Sequence, residues 1–126
     1  MTERQDQLAA RIETIKQEFL GRLKDEGVPN LRALGERFRA DPTDAAVRSE
    51  LRRVTHDLTG SGAVFGYEEI TTVGRKLEMA ERALLKQDQL ETPEIHAEIL
   101  GLIERLTMIC AATERDLAPP AEQQPS

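Results

Sequence analysis

Apolar residues recur every three or four positions along most of this 126-residue chain. That spacing places them on one face of an α-helix, and no segment shows the alternation typical of a strand. The five stripes are Leu8, Ile12, Ile15, Phe19 and Leu23; Leu31, Leu34 and Phe38; Val47, Leu51, Val54 and Leu58; Ile70, Val73, Leu77, Ala80 and Leu84; and Ile95, Ile99, Leu102, Leu106 and Ile109. The pattern predicts an all-α fold, an antiparallel four-helix bundle with an additional short helix in its N-terminal half.

Glycines, prolines and capping residues mark the expected ends of these helices. The marks are Gly27, Pro29 and Asn30 after the first helix, Asp41 and Pro42 as cap and first residue of the third, Gly60, Gly62 and Gly66 toward its end, and Thr92 and Pro93 before the last. Residues 118–126 lack apolar periodicity and contain three prolines. We therefore expect a bundle over residues 1–117 and a disordered tail or linker over 118–126.

Composition excludes several classes of protein. The net charge is −6, aromatic residues make up 3% of the chain and tryptophan is absent, which argues against a nucleic-acid-binding protein. No apolar run is long enough to span a membrane, and the charged N-terminus lacks a secretory signal. The single cysteine, Cys110, lies among apolar positions and is expected to be a buried, inert thiol. We expect a cytoplasmic protein that does not bind membranes.

The segment from His56 to Gly66 carries the clearest chemical signal. His56 lies about 200° around the helix from Val54 and Leu58, so its ring is expected to point into water. Gly60, one turn later, removes side-chain bulk beside the ring, although a glycine inside a helix costs about 1 kcal/mol. Neutral imidazole is a nucleophile near pH 7, so we interpret His56 as an acceptor of a phosphoryl group.

Neighbouring residues suit that role. Arg52, Arg53 and the Thr59 hydroxyl are candidates to support the charge of a phosphoryl group. Gly60 and Ala63 are candidates for a docking surface that lets a partner protein reach the ring. A solvated surface histidine beside solvated arginines is the ordinary alternative, and the nearby glycines favour the functional interpretation.

Other sites are weaker. His96 is interpreted as a surface residue, and His56 and His96 without clustered cysteines make a poor metal site, so none is expected. Ser61 has no base beside it in the sequence. Gly60-Ser61-Gly62 lacks the Lys-Ser/Thr of a nucleotide-binding loop, so this chain is not expected to act as an enzyme that phosphorylates itself from ATP.

Together these residues resemble the signature of histidine-containing phosphotransfer (HPt) domains of two-component phosphorelays. His56, Leu58, Gly60 and Gly66 match the histidine, leucine and glycines of that pattern, and Leu77-Glu78 follows at the usual distance. The helix layout is similar over roughly residues 10 to 115. The resemblance implies an HPt-type bundle whose His56 takes a phosphoryl group from a receiver-domain aspartyl phosphate, or from a histidine kinase, and passes it on.

The resemblance also implies that the receiver supplies the Mg²⁺, that this chain needs no cofactor of its own, and that it acts as a monomer. One departure is that Thr59 stands where the family commonly has a lysine. This departure supports an alternative, a catalytically silent HPt-like module that binds a receiver or kinase and regulates it without phosphotransfer. A structural helical adaptor with an accidental likeness is a third possibility.

Overall fold

A computed structural model describes residues 2–86 and 91–119. Five α-helices make up most of it: α1 (Glu3–Arg22), α2 (Val28–Ala40), α3 (Ala45–Phe65), α4 (Glu68–Leu84) and α5 (Pro93–Thr113). A π-helical turn, Leu23–Gly27, joins α1 to α2, and a 3₁₀ turn, Glu114–Asp116, follows α5. The all-α prediction is confirmed, since the described ranges contain no strand. Within those same ranges, no helix has the length and apolar character to cross a membrane.

The core is built from the predicted apolar faces. Each of α2 to α5 contributes to it, and the tightest side chains include Leu31, Phe38, Leu51, Ile70, Leu77, Ile99 and Leu106. Helix α2 packs against α3 and α5, while α4 packs against both α3 and α5. The short helix predicted as an addition, α2, is therefore one of the four bundle helices. On α5 the most buried face also includes Ile103 and Cys110, which lie one position beyond the predicted Leu102 and Ile109.

The first apolar stripe behaves differently from the prediction. Leu8, Ile12 and Ile15 are 59%, 51% and 43% exposed, and only its last two members, Phe19 and Leu23, are buried. Helix α1 makes its main contacts with the π-helical turn and the 3₁₀ turn, so its first turns extend beyond the bundle. Periodicity shows which face is apolar, but it does not show whether another element lies against that face.

The predicted break after the first helix is also wrong. The backbone stays helical through Gly27, which has φ −61° and ψ −53°, and Pro29 lies in the first turn of α2. Val28 N–H donates to Leu23 O, five residues back, which widens one turn. Because Pro29 has no N–H, an α-helical bond would be missing there in any case, and the π turn accommodates the loss.

Capping residues explain the other boundaries. Asp44, and not Asp41, caps α3, because its carboxylate accepts from the N–H groups of Ala46 and Val47. Asp41 instead accepts from the N–H and hydroxyl of Thr43 in the preceding turn, and these bonds lower the pKa of its carboxyl. The predictions that Thr92 caps α5 and that Gly66 ends α3 are confirmed. Gly66 has φ +79°, the left-handed conformation that favours glycine.

Helices α3 and α4 are in tight contact at Gly74. A Cβ at this position would overlap with Thr59 Oγ1 and lie 3.2 Å from Thr59 Cβ. Thr59 Oγ1 is held in place because it donates to Thr55 O at 2.8 Å. A two-residue connection, Gly66 and Tyr67, reverses the chain between these helices, so α4 runs antiparallel to α3. Gly74 therefore serves the close packing of α4 against α3.

We predict that Gly74→Ala lowers the free energy of unfolding by about 1–3 kcal/mol, because the new methyl group overpacks the α3–α4 contact. Gly101→Ala in α5 is the matched control, since a Cβ there meets no atom within 4 Å. That control should gain up to about 1 kcal/mol from helix propensity. Urea unfolding of both variants measures the difference, and a Gly74→Ala variant as stable as the wild type contradicts the packing role.

Candidate functional site

His56 lies on the outer face of α3, with its side chain 83% exposed. The opposite face of the same helix buries Leu51, Val54 and Leu58, as the helical periodicity predicts. The ring is therefore open to another protein, while the helix that bears it is anchored in the core. This is the placement that a group-transferring histidine requires.

An acid from the next helix reaches the ring. Glu78 Oε1 lies 3.6 Å from His56 Nδ1. This oxygen is buried and has no hydrogen-bond partner in the described part of the chain. A small rotation of either side chain would bring the two atoms within hydrogen-bond distance. A carboxylate next to Nδ1 favours the ring form that carries its proton on Nδ1, which leaves Nε2 with a free lone pair facing solvent.

His56 and Glu78 line an open cleft of about 170 Å³ between α3 and α4. Its other walls are Arg52, Glu81, Arg82 and Leu85. Neither arginine forms an ion pair within 4 Å with another described residue. Two guanidinium groups that make no direct ion pair with a described carboxylate, beside an accessible imidazole, suit the binding of an anion such as a phosphoryl group.

Glu81 forms the floor of this cleft and is only 7% exposed. Its Oε1 is buried without a hydrogen-bond partner among the described residues. Burial raises the pKa of the Glu81 carboxyl to about 7; Arg52 opposes this rise and Glu78 adds to it. The carboxyl therefore exchanges its proton close to neutral pH.

Two of the predicted phosphate-supporting residues lie elsewhere. Arg53 pairs with Glu50 and Asp57 on α3 itself, and hydrogen bonding to Glu50 raises the pKa of its guanidinium. It lines a groove toward the π-helical turn and not the cleft beside His56. The Thr59 hydroxyl is buried, with its hydrogen donated to Thr55 O. Neither group is free at the ring in this structure, whereas Arg52 shares the cleft with His56.

The surface that follows His56 along α3 has little side-chain bulk and is partly apolar. A Cβ on Gly60 would meet nothing within 4 Å, so no packing inside this chain requires a glycine there. Ala63 and Val64 follow on the same exposed stretch, and Val64 is 76% exposed. By contrast, Gly62 is needed internally, because its Cβ would lie 2.9 Å from Thr71 Oγ1. The absence of a side chain at Gly60 keeps the approach to His56 open.

Sequence reasoning missed Glu81 and Arg82, and gave Glu78 no role beyond its place in the motif. These side chains reach the ring only because α4 packs against α3 in one register. Glu81 and Arg82 lie three and four positions after Glu78, so all three share one face of α4. That spacing is the signal that would have found them once a partner helix was assumed.

The other candidate residues, His96 and Cys110, pack against neighbouring side chains of the bundle. His96 is not a free surface residue: its side chain is 21% exposed, it pairs with Glu91 at 3.3 Å, and its ring meets Phe38 edge-on. Cys110 is fully buried, and burial raises the pKa of its thiol to about 12, as expected for an inert thiol. No group of three or more metal-ligating side chains exists within residues 2–86 and 91–119.

Comparison with known proteins gives one match. A family model described as the Hpt domain matches residues 5–109. Neither the curated proteins nor the solved structures contain a significant match to the chain. The matched range runs from α1 into α5 and includes all of the residues around His56.

We predict that Glu81→Gln stabilises the fold more at pH 8 than at pH 5. The native carboxyl keeps its proton up to about pH 7, whereas the unfolded carboxyl loses it near 4.5. Between these values the native state binds more protons than the unfolded state, so wild-type stability falls as the pH rises. Glutamine cannot ionise, so the variant does not lose this stability as the pH rises.

Urea unfolding of wild type and Glu81→Gln at both pH values measures this effect. Glu98→Gln, which replaces an exposed acid on α5, is the control and should show no such gain. A stability difference for Glu81→Gln that is equal at the two pH values would contradict a proton held by the buried carboxyl.

Proposed function

The chain belongs to the Hpt domain family, and on that basis we propose that His56 is the phosphoacceptor of a cytoplasmic, monomeric phosphocarrier. Hpt domains are phosphocarrier modules that interact with receiver domains and histidine kinases. The proposal rests on the exposed His56 ring, whose Nδ1 lies 3.6 Å from Glu78 Oε1. Gly60 beside it has no side chain that would block a partner.

The transfer step follows from this geometry. Nε2 of neutral His56 attacks the phosphorus of an aspartyl phosphate on a receiver domain. The N–P bond forms as the P–O bond to the aspartate breaks, and the aspartate leaves as a carboxylate. The Nδ1 proton stays on the ring, where the Glu78 carboxylate offsets the positive charge that develops. Mg²⁺ bound by the receiver is expected to balance phosphoryl charge, and the reverse reaction returns the group to an aspartate.

Arg52 and Arg82 are the cations that we assign to the phosphoryl group in this chain. Both line the cleft that contains His56. The family commonly places a lysine at the position of Thr59, and here that position is buried against Gly74. Cationic support therefore comes from the flank of the ring that faces the cleft and not from the residue three positions after the histidine.

The buried Thr59 also supports a second candidate function. A bundle without the usual lysine would suit a silent module that docks on a receiver or kinase and regulates it without taking the phosphoryl group. The two functions share a docking surface around Gly60 and Ala63 and differ in whether His56 becomes phosphorylated.

The first test incubates the chain with several phosphorylated receiver domains and reads acid-labile, alkali-stable label. We predict label on the wild type and none on His56→Gln, because the amide nitrogen of glutamine is not a nucleophile under these conditions. His96→Gln is the matched control and should be labelled like the wild type. Binding to a receiver without label would support the silent module instead.

A second prediction concerns docking. Gly60→Arg should slow transfer from the receiver at least about ten-fold, because a long cation blocks the approach to His56. It should leave the fold intact, since the new side chain has open space. Gly101→Arg on α5 has equally open space and should transfer at the wild-type rate. A folded Gly60→Arg variant with unchanged transfer would place the docking surface elsewhere.

A further inference from the structure

Glu81 connects the cleft beside His56 with a smaller cleft deeper in the bundle. The inner cleft is lined by Phe38, Arg48, Leu51, Leu84 and Ile99, together with Arg52, Glu81 and Leu85, which belong to both clefts. Arg52 and Glu81 are thus the charged residues at the boundary between them. In the described part of the chain, the Arg52 guanidinium has no ion pair within 4 Å, either with Glu81 or with any other carboxylate. Its attraction to Glu81 therefore acts over a longer distance.

The charged groups around Glu81 come from two helices. Helix α3 presents Arg48, Arg52 and His56, and α4 presents Glu78 and Arg82. The side chains that α2 and α5 contribute to these clefts, Phe38 and Ile99, are apolar. Arg48 is already paired with Glu91 at 2.6 Å. This leaves Arg52 as the cation whose interaction with Glu81 most directly counters the burial of the carboxyl.

We propose, on the basis of the phosphoacceptor role of His56, that Glu81 is a positioning residue that holds Arg52 when its carboxyl is ionised and releases Arg52 toward the phosphoryl group when it is protonated. The Oε1 atom of this carboxyl is buried and has no hydrogen-bond partner among the described residues, so the ionised group attracts the nearby guanidinium strongly. Once protonated, it no longer competes with a phosphoryl group for that cation.

The same contacts make the effect reciprocal. A phosphoryl group on Nε2 brings roughly two negative charges to the cleft, draws Arg52 outward and adds repulsion to an ionised Glu81. Both effects favour a proton on Glu81. Phosphorylation of His56 therefore increases the proton affinity of Glu81, and by linkage a proton on Glu81 favours phosphorylated His56. Burial already brings the pKa of this carboxyl to about 7, so the coupling operates near neutral pH.

The test measures how the phosphoryl group partitions between a receiver domain and the intact chain from about pH 6 to about pH 8. We predict that acceptance by the wild type, relative to Glu81→Gln, falls about five-fold or more as the pH rises through this range. Using the ratio removes the pH dependence that the two reactions share, including that of the receiver. In an Arg52→Ala background, Glu81→Gln should change the pH profile less than it does in the wild type, because only the direct repulsion between the phosphoryl group and Glu81 remains.

Parallel pH profiles of wild type and Glu81→Gln would overturn this inference while leaving His56 as phosphoacceptor. A complete lack of label on the wild type would reject the phosphoacceptor and this inference together. If Glu81→Gln does not fold, the wild type decides by itself: carboxyl NMR should show the pKa of Glu81 rising when His56 is phosphorylated. An unchanged titration would overturn the proposal.

Discussion

The close contact between α3 and α4 is the constraint on which the site depends. Gly74 has no side chain, so α4 lies directly over Thr59 of α3. That contact fixes the register in which the rest of α4 passes α3. Glu78 and Glu81 follow Gly74 at one and two turns, so the same register brings both acids to the cleft that contains His56. A glycine of poor helix propensity therefore determines what surrounds the His56 ring.

The cleft combines opposite charges around one accessible nucleophile. Two guanidinium groups and two carboxyl groups face the imidazole, so the site is near electrical balance before a phosphoryl group arrives. In the transfer that we propose, an arriving dianion disturbs that balance, and we infer two responses. Arg52 can turn toward the new charge, and Glu81 can take up a proton. Both responding side chains belong to the cleft, which leaves Nε2 accessible to a partner protein.

Much of the fold follows from the sequence because each stripe on α3, α4 and α5 has a partner helix. The exposure of His56 also follows, since its position relative to Val54 and Leu58 depends on helix geometry alone. The environment of the ring cannot be predicted from the sequence, because Glu78, Glu81 and Arg82 reach the ring only through the packing of α4 on α3. The burial of Thr59 does not follow from the sequence for the same reason: the helix presents this residue near His56, but α4 covers it. Leu8, Ile12 and Ile15 show the converse, an apolar face that no described element covers.

The central claim is that Glu78 occupies the Nδ1 side of His56, so that the phosphoryl group is carried on the opposite nitrogen. Phosphorus NMR of the phosphorylated chain, with ¹⁵N-labelled histidine, tests this most directly. The account predicts a single phosphohistidine with the phosphorus bonded to Nε2 of His56. A phosphorus bonded to Nδ1, or to a group other than His56, would contradict it.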